Sequence, residues 1–146
     1  MGTATELDDP GTVTGQSMPA LGPTATMRCL LDLFRDNPHA RFLAVVDEDE
    51  RPCGAVREHV VRALLFSPFG HALLSNPGCR WRVADFLEPC PVQEADRPVP
   101  ELVRAFGKRP SSEGVILTRN GRYAGLLPGT DLLKLAAERE RSLRRR

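Results

Sequence analysis

The sequence predicts an α/β protein in which one β-α-β-β-α unit occurs twice. Three observations carry that prediction. First, the chain repeats itself: Phe34 and Phe106 lie 72 positions apart, as do Leu30 and Leu102, and Leu43 and Val115, while Gly54 and Gly125 lie 71 apart. Second, each copy holds an apolar run, a polar turn and a Gly-apolar-apolar return, which reads as a strand hairpin. Third, each hairpin is preceded by apolar residues at three-four spacing, the mark of a helix with one buried face. A repeat of this length is one supersecondary unit built twice, and neither copy alone can cover its oily face.

The elements follow in order. Residues 1–17 are rich in Gly, Thr and Asp with few large apolar groups, so they are expected to form a disordered tail. Repeat 1 is placed at 18–66. Ser17 to Pro23 is an extended entry, and Thr24 or Thr26 can cap a helix to about Asp36, whose apolar face is Met27, Leu30, Leu31 and Phe34. Asn37-Pro38 ends it, since proline disfavours helical geometry in the residue before it. Phe42 to Val46 is a continuous apolar run suited to a strand covered on both faces. Asp47 to Pro52 is the turn, Cys53 to Val56 starts the return strand, and a helix is expected from Glu58 to Phe66.

Residues 67–82 are read as an insertion or linker. Within them, Ser67 to Gly78 has no counterpart in the second half and should form a short helix near Gly70 to Leu74, then a turn at Asn76-Pro77-Gly78. Phe69, Leu73 and Leu74 either plug a gap between the repeats or face a partner. Repeat 2 is placed at 83–138. It opens with a helical turn at Val83 to Leu87, then an extended Pro89 to Glu94 and a helix from Val99 to about Gly107. Gly114 to Thr118 and Tyr123 to Leu127 form a hairpin around Asn120-Gly121, a strong type I′ signal. A final helix begins near Thr130 and runs into a basic tail at 139–146.

Composition narrows the class. With 146 residues, 41% hydrophobic and 27% charged, the chain is of the ordinary globular type, able to bury roughly 70% of its unfolded surface. No apolar run approaches the roughly 20 residues that span a bilayer, and Met1 to Asp9 lacks a basic and an apolar region, so no secretory signal is read and a cytoplasmic protein is expected. Cys29, Cys53, Cys79 and Cys90 are scattered and read as free thiols; no metal site is expected. Net charge is +1, yet the last eight residues hold five Arg against one Glu, leaving the rest net negative. Nucleic acid is therefore not the expected partner. The tail reads as a solvated helix end, with contact to a phosphate or an acidic partner as the alternative. His39, His59 and His71 are isolated, and no paired carboxylates, phosphate loop or activated nucleophile appears, so no enzyme is expected.

At this point the residues resemble a known family, the paired cystathionine-β-synthase (CBS) domain, or Bateman module. The resemblance rests on Phe42 to Val56, on Val83-Ala-Asp-Phe-Leu-Glu-Pro-Cys-Pro-Val92, and on Gly114 to Leu133. It implies two CBS repeats packed into a pseudo-twofold disc that dimerises with itself or regulates a protein partner in trans. It also implies a non-catalytic regulatory module, with no required cofactor, whose clefts between repeats take AMP, ADP, ATP or S-adenosylmethionine. The family signature is Gly-apolar-x-(Ser/Thr)-x-x-(Asp/Asn). In repeat 2 it falls on Gly125 to Asp131, placing Asp131 on the ribose hydroxyls; Pro128 stands where the hydroxyl belongs, with Thr130 two residues away. An acceptor suits a diol and exposed helix N–H groups suit a phosphate. In repeat 1 it falls on Gly54 to Val60, with Arg57 at the hydroxyl position and Val60 at the acid position, so an anion through Arg57 is the remaining reading there. Ser111 and Ser112 sit where family members approach the adenine. Each residue also has a plain reading: Asp131 complements the helix dipole, Thr130 caps, Gly125 allows close strand packing, Ser112 is a loop residue, and Arg57 pairs with Glu58 or Asp49. A ligand-free dimerisation scaffold with degenerate sites is the alternative function.

Overall fold

A computed structural model describes residues 13–76 and 80–145. They divide into two compact units, one of Met18–Pro89 and one that joins residues up to Ser17 with Cys90 onward. Both have the expected mixed α/β content.

In the first unit, α1 (Met27–Asp36) is capped by Thr26, whose hydroxyl accepts from the Cys29 N–H at 3.1 Å. Asn37 ends it with both its backbone and side-chain N–H on the Leu33 carbonyl. Strands β1 (Phe42–Val46) and β2 (Pro52–Arg57) pair antiparallel, and Phe42 to Val45 are buried as a continuous run, as the sequence requires. Asp47 closes the turn by accepting from the N–H groups of Asp49 and Arg51. Helix α2 (Glu58–Leu65) and helix α3 (Pro68–Ser75) follow, then a 3₁₀ turn at Val83–Phe86. The core is Leu21, Met27, Leu30, Leu43, Val45, Val56, Val61 and Val83.

In the second unit, β3 (Val92–Glu94) pairs parallel with β4 (Gly114–Arg119), and β4 pairs antiparallel with β5 (Arg122–Pro128). Helix α4 (Val99–Gly107) precedes β4, and α5 (Gly129–Arg144) follows β5. The β4–β5 turn has positive φ at both Asn120 (55°) and Gly121 (80°), as a type I′ turn demands. Leu102, Val115, Leu117, Leu127 and Leu132 form the core, with Val13, Val99, Val103 and Phe106 packed on it. No helix among the described residues is long and apolar enough to cross a membrane.

Three boundaries differ from expectation. The described part of the N-terminal tail is ordered: the Val13 N–H donates to the Ala95 carbonyl at 2.8 Å, and Gln16 and Leu126 exchange both backbone hydrogen bonds. The tail is polar, but a strand edge needs backbone partners rather than apolar side chains, and Gln16 satisfies the edge of β5. Residues 1–12 lie outside the described set. Val83 to Pro89, read as the start of repeat 2, instead belongs to the first unit: Val83 and Ala84 donate to the carbonyls of Ala25 and Pro23, and Glu88 and Ala55 exchange both backbone bonds. The insertion helix is longer than expected, at Pro68–Ser75, whereas the turn residues Pro77 and Gly78 lie outside the described set.

Candidate ligand-binding site

The two units are built alike at one place, the junction where the return strand meets the following helix. In the second unit, β5 ends on Pro128, which is the N-cap of α5 with φ −57° and ψ 147°. A proline there costs no ladder hydrogen bond that the helix start needs. Gly114, the first residue of β4, pairs with Pro128, and the Gly129 N–H donates to the Glu113 carbonyl at 2.8 Å. One of the helix's free N–H groups is thereby already occupied.

Asp131 lies in the first turn of α5 and is half-buried, and its Oδ2 accepts from the Gln16 amide nitrogen at 3.1 Å. Thr130 is exposed and is not the cap. Gly125 is buried in β5 and has a steric duty: a Cβ there would stand 2.9 Å from the Gln16 carbonyl oxygen. Ser112 closes a 3₁₀ turn (Pro110–Ser112) just before β4 and is buried, its hydroxyl within reach of the carbonyls of Arg109 (2.6 Å) and Gly114 (3.1 Å). Cys90 lies against the same carbonyl, at 3.6 Å from Gly114. Burial pushes its thiol up to about 12, against the lowering pull of the Ile116 backbone and the Ser112 hydroxyl. The thiol is thus protonated and inert as a nucleophile. Ser112, Thr130 and Asp131 therefore lie at one end of the β4–β5 pair, and Gly125 lies midway along β5.

Arg57 belongs to the other unit and has a different occupation. It is the N-cap residue of α2, and its guanidinium forks onto Glu88, with Nε on Oε2 at 2.8 Å and NH2 on Oε1 at 2.7 Å. Both side chains are mostly covered. Glu58, its neighbour in sequence, holds Arg62 at 2.5 Å instead. A bidentate pair of this kind is among the stronger polar contacts available, and it leaves the fork closed to an outside anion.

Sequence reasoning missed Gln16 and Glu88. They lie 72 positions apart, and their strand partners Leu126 and Ala55 lie 71 apart. Each pairs with the edge of a return strand beside the repeat glycine, and each turns its side chain to the junction residue, Asp131 or Arg57. Extending the repeat arithmetic backwards from Leu30 into the polar tail would have found them.

Comparison with known proteins places the chain. The model of the CBS domain matches residues 12–66. No curated protein matches. Among solved structures, a CBS domain-containing protein from Kribbella flavida is 19% identical, covering 88% of this chain and 97% of that one with a TM-score of 0.67. The CBS-pair protein CBSX2 from Arabidopsis thaliana is 19% identical over 89% of this chain and 93% of that one, TM-score 0.64. The CBS domain of a bacterial CNNM/CorC family Mg²⁺ transporter, solved in complex with ATP, is 19% identical over 91% of both chains, TM-score 0.59. Residues 12–66 thus match a CBS domain, and the chain as a whole has the fold of these CBS-pair structures.

Proposed function

We propose that this chain is a non-catalytic regulatory CBS-pair module that binds an adenosine-containing ligand at the β5–α5 junction and thereby changes its association with itself or a protein partner. The observation that carries the reading is Asp131. Its carboxylate stands in the first turn of α5, and its hydrogen-bond partner among the described residues is one exposed amide, Gln16. Such an amide is readily exchanged for the two hydroxyls of a ribose, which donate to the same oxygens. CBSX2 has been solved with AMP and the CNNM/CorC domain with ATP, which supports an adenosyl ligand for this fold. Pro128 in place of a hydroxyl and the engaged Gly129 N–H weaken phosphate recognition, so the nucleoside end supplies most of the affinity.

Calorimetric titration with AMP, ADP, ATP and S-adenosylmethionine tests this. At least one gives saturable heat, and Asp131→Ala weakens it about tenfold or more, as expected for a lost hydrogen bond to an ionised group. Absence of heat with all four overturns the reading. The second reading is then a ligand-free dimerisation scaffold, favoured by the closed Arg57–Glu88 fork. A dimer by light scattering with nucleotide-independent thermal stability supports it; a monomer does not.

A further inference from the structure

The second unit also holds a small polar cavity of about 230 Å³, lined by Thr14, Gly15 and Ser17 on the N-terminal segment and by Leu117, Arg119 and Ala124 on the hairpin. One feature of this hairpin is unfavourable in the free protein. Arg119 and Arg122 stand directly opposite each other across the ladder, and like charges so placed destabilise a hairpin. Neither guanidinium has a hydrogen-bond or ion-pair partner among the described residues. The register slips between Leu117 and Thr118, with Ala124 as the extra residue of a bulge, as it does between Val45 and Val46 in the first unit, so the bulge is common to both hairpins and the paired arginines are not.

The carboxylate that binds this turn, Glu94, does not pair with either arginine. Glu94 is spent on the Thr118 hydroxyl and on the N–H groups of Asn120 (2.8 Å) and Gly121 (3.1 Å). The repeat does not require the arginines either. The corresponding turn of the first unit is acidic, Asp47 to Glu50, and closes on its own Asp47.

We propose that this cavity is an anion site for a phosphate group, inorganic or carried by a small phosphomonoester. Arg119 supplies a planar fork of donors and fixed positive charge, and the hydroxyls of Thr14 and Ser17 supply neutral donors on the facing side. A volume below the roughly 300 Å³ at which organic-ligand pockets begin suits a phosphate with little attached, not a whole nucleotide. The site shares the N-terminal segment with the Asp131 junction, but Asp131 and Gln16 are not among its lining residues.

The test is titration of the full chain with inorganic phosphate and with glycerol 3-phosphate at fixed ionic strength, followed by ³¹P line width and calorimetry. Saturable binding is expected. Arg119→Gln should weaken it about tenfold, and Arg119→Lys, which keeps charge but loses the fork, should fall between. Arg141→Gln, on the exposed end of α5, serves as the control for diffuse attraction and should change nothing. Circular dichroism confirms that each variant folds. No saturable binding, an unaffected Arg119→Gln, or an equal loss in Arg141→Gln overturns the proposal. Asp131→Ala is expected to keep phosphate binding, so failure of this site and failure of the adenosine site are read separately.

Discussion

The two strand-to-helix junctions share one backbone device and differ in what their side chains do with it. At each, a segment distant in sequence pairs with the edge of the return strand next to a glycine, Glu88 on Ala55 and Gln16 on Leu126. In the first unit the device brings a carboxylate to Arg57 and the pair closes on itself. In the second it brings a neutral amide to Asp131; the amide occupies one carboxylate oxygen and leaves most of the group's capacity to accept. One backbone arrangement thus holds a bidentate ion pair in the first unit and an amide–carboxylate contact in the second.

The comparison can be broken most forcefully at the cores. Leu30 and Leu102 occupy equivalent, fully buried positions, so truncating either to Ala should cost about 3 kcal/mol in urea unfolding. Unequal costs would show that the two cores are not energetically alike. Next come the glycines. Gly54→Ala puts a Cβ 2.6 Å from the Glu88 carbonyl oxygen and 2.9 Å from a Leu87 methyl, and should destabilise by about 2 kcal/mol. Gly125→Ala meets its carbonyl at 2.9 Å and should cost less, in the same assay.

Smaller effects sharpen the contrast between the side chains. Glu88→Gln keeps the shape but removes the ion pair, and should cost about 1 kcal/mol, whereas Gln16→Ala on an exposed amide should cost a few tenths. If Gln16→Ala proves the more harmful, the Asp131 carboxylate is part of a clasp after all.

The hairpin gives a pH test. The Thr118 hydroxyl foremost, then the Gly121 N–H, hold the Glu94 carboxyl below its usual 4.5. Its contribution to stability is therefore full above that value and disappears as pH falls through the depressed one. The melting-temperature difference between wild type and Glu94→Gln should accordingly shrink below pH 4.5. A difference that grows on acidification would contradict the hydrogen-bonding scheme. The mildest effect concerns thiols: at neutral pH a thiolate-selective reagent should modify the exposed Cys29 and Cys53 while leaving Cys90 intact, as mapped by mass spectrometry.

Much of this protein could be read from spacing alone. The apolar periodicity of Met27, Leu30 and Phe34, the unbroken run Phe42 to Val45 and the Asn120-Gly121 turn are local signals, each decided by burial or backbone geometry within a few residues. Their recurrence at 71 and 72 positions set the α/β class and the pairing of β4 with β5. The candidate residues Gly125, Thr130 and Asp131 were also legible, because they share one strand-to-helix run. What no local signal carries is the partner that arrives from elsewhere in the chain. Gln16 lies in a polar tail with nothing to bury, and it is ordered because the edge of β5 offers unpaired N–H and C=O groups. Arg57 beside Glu58 resembles a surface charge, yet its fork closes on Glu88, 31 residues away. The amino-acid order determined the elements, since these depend on side chains a turn or a strand apart. Only the tertiary structure decided which side chain each junction residue meets, since hydrogen bonds across 31 or 115 residues exist only after the chain has folded back on itself.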